Sequence, residues 1–152
     1  MTLKQTLKKS KTYKLGIAQL HFGRKMTAMR NRILGPHGLS SIEWFVLGTV
    51  KEETPMGGIR VTDLATLFDV KTTYITATVH ALRDKGYVTT RQDANDARVR
   101  LVVTTPNGNA IVDAIEERLR DETETLFQGA VSAEDLTAYV RVVEQLAAVQ
   151  AI

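Results

Sequence analysis

Apolar positions recur at helical spacing along most of the chain, which predicts a mainly α-helical protein. Over residues 12–34 they follow steps of three and four, at Leu15, Ala18, Phe22, Met26, Met29 and Ile33. Shorter patterns of the same kind predict five further helices, over residues 42–51, 63–68, 72–85, 106–128 and from 133 towards the C-terminus.

Residues that cap helices mark the ends of these segments. The hydroxyls that suit N-caps belong to Ser40 or Ser41, Thr62, Thr105 and Ser132. Pro106 favours the first helical position, directly after Thr105. Glycines, which favour helix ends, follow several segments, at Gly35, Gly38, Gly86 and Gly129.

Two β-prone segments, 87–92 and 99–104, flank a turn-prone stretch and predict a hairpin. Ahead of them come a short helix, a tight turn at residues 69–71 and a second helix. This order is that of a winged helix-turn-helix. The predicted fold class is therefore mainly α with a small β-hairpin wing (α+β).

The second helix of this motif is the element that would enter a major groove, because an α-helix fits there and presents its N-terminal residues to base edges. Ile75, Val79 and Leu82 form its apolar stripe. The side chains off that stripe are candidate DNA contacts: Lys71, Thr72, Thr73, Tyr74, Thr76 and His80. A solvated helix surface with N-capping threonines is the structural alternative for the same residues.

The hairpin supplies three arginines, Arg91, Arg98 and Arg100. An arginine at a projecting tip can enter a minor groove, where the negative potential favours it. Phosphate would repel Asp96, so we expect this carboxylate to orient Arg98 or Arg100 through an ion pair. A surface hairpin with incidental charges is the alternative.

Charge is distributed unevenly along the chain. Residues 1–42 hold nine Lys or Arg and no acidic residue, residues 43–105 hold eight of each sign, and residues 106–152 hold three basic and nine acidic residues. The basic segment is suited to phosphate contact, or to packing beside the acidic C-terminal helices of the same or a partner chain.

Composition excludes several classes of function. The absence of cysteine excludes disulfides, thiolate zinc sites and thiol chemistry, and is compatible with a cytoplasmic location. No apolar run reaches bilayer length, and we expect no signal peptide. The three histidines are far apart and no catalytic or nucleotide-binding motif occurs, so we expect no enzyme, cofactor or metal site.

The chain resembles the MarR family of transcription regulators from about Leu15 to its C-terminus. The resemblance is carried by residues 38–47, 61–65 and 82–88, and above all by Asp96-Ala97-Arg98 followed by Thr105-Pro106-Asn107-Gly108. It implies a homodimer on a pseudo-palindromic operator, with Arg98 in the minor groove of double-stranded DNA. Within one MarR-like domain it implies an N-terminal dimerisation helix (1–38), a winged lobe (39–105) and C-terminal dimerisation helices (106–152).

The resemblance also implies a small phenolic or anionic effector, bound between the dimer helices and the winged lobe. His21, His37 and Trp44 are near that region by their order along the chain. Each of them can equally be a packing residue.

The chain departs from the family pattern at three positions. Ala77 occupies a place where an arginine is common, so the base contact made by that arginine is either lost or moved to Lys71, Tyr74 or His80. Asp69 replaces a turn glycine, and we expect it to adopt the left-handed conformation that Asp tolerates. We expect Thr104, in place of an aliphatic residue, to loosen the end of the second strand.

Two other functions fit parts of the sequence. A winged helix can act as a protein-interaction module without DNA binding. The basic amphipathic segment Leu3 to Met26 could bind a membrane surface. We expect DNA binding with no membrane partner.

Overall fold

Seven α-helices and one β-hairpin make up the part of the chain, residues 1–149, that the computed structural model describes. In chain order they are α1 (Leu3–Ser10), α2 (Thr12–Leu34), α3 (Ser41–Glu53), α4 (Val61–Leu67), α5 (Thr72–Asp84), β1 (Val88–Gln92), β2 (Arg100–Thr104), α6 (Pro106–Phe127) and α7 (Ala133–Ala147). The prediction of a mainly α fold with a small hairpin is confirmed. The chain divides into two units, Met1–Arg118 and a second that begins at Leu119.

The core of the first unit lies among α3, α4, α5 and the hairpin. Its fully buried side chains include Leu47, Leu64, Ile75, Leu82 and Val102, one or more from each of these elements. Each contributes about 1.5–3 kcal/mol of transfer free energy by leaving water. The predicted stripe of α5 is thus the face that packs inward, and it leaves the other face of α5 to solvent.

The hairpin is antiparallel, with Val88 opposite Thr104 at its base and Gln92 opposite Arg100 near its tip. The outer edge of β2 is covered by Ile59: the Ile59 N–H donates to the Val102 carbonyl (3.1 Å) and the Val102 N–H donates to the Ile59 carbonyl (2.8 Å). This second pairing leaves β2 with neighbours on both sides and fixes the hairpin to the segment before α4.

Most predicted caps are confirmed. The Ser40 hydroxyl, rather than that of Ser41, accepts from the Glu43 N–H, and the Ser132 hydroxyl accepts from the Asp135 N–H. After α5, Gly86 has φ +76° and the Tyr87 N–H donates to the Leu82 carbonyl (3.0 Å), which is a Schellman ending.

The predicted cap at Thr62 is wrong. Helix α4 begins two residues earlier than predicted, at Val61, and its N-cap is Arg60, without a side-chain cap. The pairing of Ile59 with Val102 fixes where the extended chain ends, so helix starts directly after it and Thr62 falls inside the first turn. The turn after α4 agrees with expectation, because Asp69 has φ +50°.

The expected loosening at Thr104 is also wrong. Thr104 is buried; its N–H donates to the Thr54 hydroxyl (3.0 Å) and its own hydroxyl donates to Asn109 Oδ1 (2.7 Å). A hydroxyl at this position therefore ties the end of β2 to the turn after α3 and to the first turn of α6.

Both chain ends carry exposed apolar side chains. The apolar residues that predict one face of α2 are buried only at its C-terminal end, at Met29 and Ile33. At its N-terminal end Leu15 and Ala18 are exposed. Helix α7 has no buried residue among those described, and exposes Val140, Val143 and Leu146. A short helix that the sequence analysis did not predict, α1, precedes α2.

Candidate nucleic-acid interface

Helix α5 presents its polar face at the surface. Lys71, which is the N-cap, and Thr72, Thr73, Tyr74 and His80 are exposed, and Tyr74 retains 50% of its accessible surface. Thr76 is half-buried and donates its hydroxyl to the Thr72 carbonyl (2.9 Å). The first turn of α5 therefore offers free backbone N–H groups, a cation and hydroxyls, which are the groups that bind phosphates and base edges.

The tip of the hairpin is shaped by its two aspartates. Asp93 Oδ1 accepts from the N–H groups of Asn95 (2.8 Å) and Asp96 (3.0 Å). These backbone hydrogen bonds are the main reason that the pKa of Asp93 is lowered, with a smaller contribution from nearby arginines. Asp93 is therefore a structural residue of the loop, held in its charged form.

Asp96 pairs with Arg98 rather than with Arg100, the other partner that the sequence allowed. Asp96 Oδ1 accepts from the Arg98 N–H (3.0 Å) and lies 3.3 Å from Arg98 Nε. The Arg98 side chain is nevertheless 93% exposed, so its terminal nitrogens remain open to solvent. Arg98 is thus a projecting cation whose backbone N–H and Nε are both hydrogen-bonded to Asp96.

The other two hairpin arginines differ from each other. Arg91 Nε donates to the Gly57 carbonyl (2.8 Å), which attaches β1 to the turn before α4. This bond uses one of the five N–H donors of the guanidinium. Arg100 is exposed at the start of β2.

An ion pair between the buried Glu43 and the exposed Lys85, which the sequence analysis missed, lies at the other end of α5. Lys85 Nζ donates to Glu43 Oε1 (2.5 Å) and to the Gly38 carbonyl (2.7 Å). Burial alone would raise the pKa of Glu43, but the hydrogen bonds from Lys85 and Ser40 outweigh it and the pKa is lowered. The Ser40-x-x-Glu43 capping box was readable in the sequence; the contact with Lys85, 42 residues away, was not.

A cleft of about 520 Å³ lies between α3 and the first half of α6. Trp44, Phe45 and Val112 form its apolar lining, and Lys51 pairs with Asp113 across it. The guanidinium carbon of Arg30 lies 4.8 Å from the centre of the Phe45 ring. An aromatic wall beside a charged pair suits a small aromatic ligand with a polar group.

The structure separates the three predicted ligand residues. Trp44 lines the cleft, whereas His21 is exposed on α2 and His37 is half-buried in the turn after it, and neither lines this cleft. Over residues 1–149 no three His, Asp or Glu side chains are grouped so as to hold a metal ion. No helix in the same range has both the length and the apolar character to cross a membrane.

Comparisons with known proteins agree with this architecture. The MarR family model matches residues 37–99. A curated relative, the transcriptional activatory protein BadR of Rhodopseudomonas palustris, is 29% identical over 86 residues, which are 57% of this chain and 49% of the relative. The chain therefore spans about half the length of that relative.

Solved structures share the fold over nearly the whole chain. CouR from Rhodococcus jostii, bound to p-coumaroyl-CoA, superposes with a TM-score of 0.79 at 20% identity, covering 91% of this chain and 94% of CouR. BpsR of Bordetella bronchiseptica, from a structural study of how 6-hydroxynicotinic acid regulates its DNA binding, superposes with a TM-score of 0.73 at 17% identity. The superposition covers 89% of this chain and 94% of BpsR. The MarR family model thus matches the winged lobe in sequence, and the solved structures show that the chain has the winged-helix fold of MarR-type proteins.

Proposed function

We propose that this chain is a transcriptional regulator that binds double-stranded DNA sequence-specifically, as a homodimer on a pseudo-palindromic operator. In each half-site α5 enters the major groove through Lys71, Thr72, Thr73, Tyr74, Thr76 and His80. The hairpin places Arg98 in the adjacent minor groove, with Arg91 and Arg100 near the backbone. The bound dimer blocks promoter use and so acts as a repressor.

The observation that carries the proposal is the tip of the hairpin. Arg98 is almost fully exposed, yet its backbone and Nε are both bonded to Asp96. A guanidinium that already makes a hydrogen bond loses less side-chain freedom on binding than one without a partner, and a narrow minor groove attracts it. A protein-interaction module has no comparable need for a preorganised cation at its tip.

The homodimer is supported by the apolar surface at both chain ends. Leu15, Ile17 and Leu20 on α2, and Val140 and Val143 on α7, are all at least 40% exposed. Exposed apolar residues at this density are typical of subunit interfaces. Light scattering on the purified chain measures the mass directly, and Val143→Glu should lower it towards that of a monomer.

DNA binding is tested by selecting bound fragments from random duplexes and then measuring affinity against salt. We expect one enriched pseudo-palindrome, and an affinity that falls steeply as salt rises because bound counterions are released. A protein-interaction module would enrich no sequence and bind no duplex at low salt. A reporter gene under the selected operator then distinguishes repression from activation.

We further propose that a small phenolic or anionic effector binds in the cleft between α3 and α6 and releases the operator. The aromatic wall of Trp44 and Phe45 would stack on the ring, and Lys51, now paired with Asp113, would face an acidic group. The compound that regulates DNA binding by BpsR, 6-hydroxynicotinic acid, is an aromatic acid, and the compound bound to CouR, p-coumaroyl-CoA, is an aromatic acyl thioester; both are consistent with this class.

Trp44 is the only tryptophan of the chain, so its fluorescence reports on this cleft alone. Titration with 6-hydroxynicotinic acid and p-coumaroyl-CoA should change that fluorescence and weaken operator binding, while an aliphatic acid should do neither. Phe45→Ala should weaken both responses together. Effector-induced release without a fluorescence change would place the ligand elsewhere.

A further inference from the structure

Among the described residues Glu43 is the buried carboxylate, with 8% of its surface exposed. Oε2 accepts from the Ser40 N–H (2.8 Å) and Oε1 accepts from Lys85 Nζ (2.5 Å). A buried carboxylate lowers stability unless it is paired and hydrogen-bonded, and Lys85, whose side chain keeps 32% of its exposure, supplies the partner charge for Glu43. Neither residue belongs to the DNA-facing surface or the cleft described above.

The pair joins the C-terminal end of α5 to the N-terminal end of α3. Lys85 is the residue that ends α5, and it also donates to the carbonyl of Gly38, just before α3. On its other side the same end of α5 is held by Thr105, whose hydroxyl donates to the Gly86 carbonyl (2.6 Å) and whose N–H donates to the Tyr87 carbonyl (3.0 Å).

The two ends of α5 are therefore held differently. The C-terminal end is attached both to the start of α3, through Lys85, and to the start of α6, through Thr105. The N-terminal end, where the candidate base contacts lie, has no side-chain cap and an exposed N-cap at Lys71. The polar attachments to α3 and α6 therefore lie at the end of α5 that is away from the candidate DNA contacts.

We propose that Lys85 and Glu43 are positioning residues for operator recognition, which set the angle at which α5 presents residues 72–80. The proposal rests on the DNA-binding function proposed above. A helix of 13 residues is about 20 Å long, so a rotation of about 5° at Lys85 displaces its first turn by about 2 Å. A displacement of this size breaks hydrogen bonds to base edges, because their donor–acceptor distances span only a few tenths of an ångström. Flexible lysine and arginine side chains can still reach the phosphates.

The test uses the full chain and four variants. Lys85→Met removes both hydrogen bonds, Glu43→Gln removes the charge but keeps an oxygen for the Ser40 N–H, and Lys85→Arg keeps the charge. Arg83→Met is the matched control, since it removes an exposed cation from the last turn of the same helix. Affinity is measured for the selected operator and for an unrelated duplex of equal length.

We expect Lys85→Met and Glu43→Gln to weaken operator binding about tenfold or more, comparable with one mismatched base pair, and to leave the unrelated duplex within about twofold. Lys85→Arg should keep most of the preference for the operator over the unrelated duplex. Arg83→Met should change the affinities for the two duplexes by the same factor. A merely structural role would lower thermal stability without altering the ratio of the two affinities. Equal losses on both duplexes in Lys85→Met would overturn the proposal and make Lys85 a phosphate contact.

A second measurement does not depend on DNA. Amide chemical shifts of residues 72–80 should move in Lys85→Met and Glu43→Gln but not in Arg83→Met. Unmoved shifts would contradict the positioning role even if the operator is bound. If the wild-type chain binds no duplex while these shifts move as expected, the proposed function fails and the positioning of α5 stands.

Discussion

The carbonyl oxygen of Tyr87 lies directly against Gly108, so that a Cβ added to Gly108 would stand 2.0 Å from that oxygen. Tyr87 follows the end of α5, and Gly108 is in the first turn of α6, where its N–H donates to the Thr105 hydroxyl (3.1 Å). The winged lobe and α6 therefore approach each other backbone to backbone at this point. Only a glycine permits this contact.

Gly108→Ala should lower the free energy of unfolding by about 3 kcal/mol, at the upper end for overpacking, because the atom it meets belongs to the backbone and cannot turn aside. Denaturant unfolding followed by circular dichroism measures the change. Gly16→Ala is the matched control: Gly16 lies inside α2 with nothing within 4 Å of the added Cβ. It should stabilise the chain by about 0.5–1 kcal/mol, and equal effects of the two substitutions would contradict the contact.

Thr104→Val should lower stability by about 1 kcal/mol, although valine is the better strand former. The substitution removes the hydroxyl that donates to Asn109 Oδ1 and leaves that amide oxygen without its partner. The same change at Thr89, exposed on β1, should alter stability by less than about 0.5 kcal/mol. A gain in the unfolding free energy of Thr104→Val would show that the hydrogen bond contributes nothing.

The elements that the sequence predicted well are those whose signals are local. The apolar spacing of α2 and α5, the Thr105-Pro106 start of α6 and the left-handed Asp69 each depend on residues within one or two turns. Such signals act before any tertiary contact forms.

The failures share a different physical origin. Thr62 has a good capping side chain, but the pairing of Ile59 with Val102 decides where α4 begins. Thr104 lacks the aliphatic side chain expected at the end of β2, but Thr54 and Asn109 give it hydrogen-bond partners 50 and five residues away. Contacts between residues distant in sequence leave no periodicity, so the pattern of a single chain does not contain them.

The Glu43–Lys85 pair should make stability depend on pH in the acidic range. The folded-state pKa of Glu43 is lowered from 4.5, so the pair contributes stability above the unfolded pKa, and that contribution is lost as pH falls through the lower folded value. Unfolding free energies of the wild type and Glu43→Gln, measured from pH 7 to pH 3, should therefore converge below about pH 4.5. Parallel curves over this range would mean that the carboxylate is not stabilised by its partners.

Arg98 and Asp96 should act as one unit in operator binding. Arg98→Ala should weaken binding by about 1–3 kcal/mol if the guanidinium enters the minor groove, and Asp96→Ala should weaken it less, by freeing the arginine that it holds. Because Asp96 acts through Arg98, adding Asp96→Ala to Arg98→Ala should cost nothing further, so the double variant binds like Arg98→Ala alone. Arg118→Ala, an exposed arginine of α6, is the control for loss of positive charge. Additive losses in the double variant would show that Asp96 shapes the loop by itself, as Asp93 does, and that the ion pair has no part in recognition.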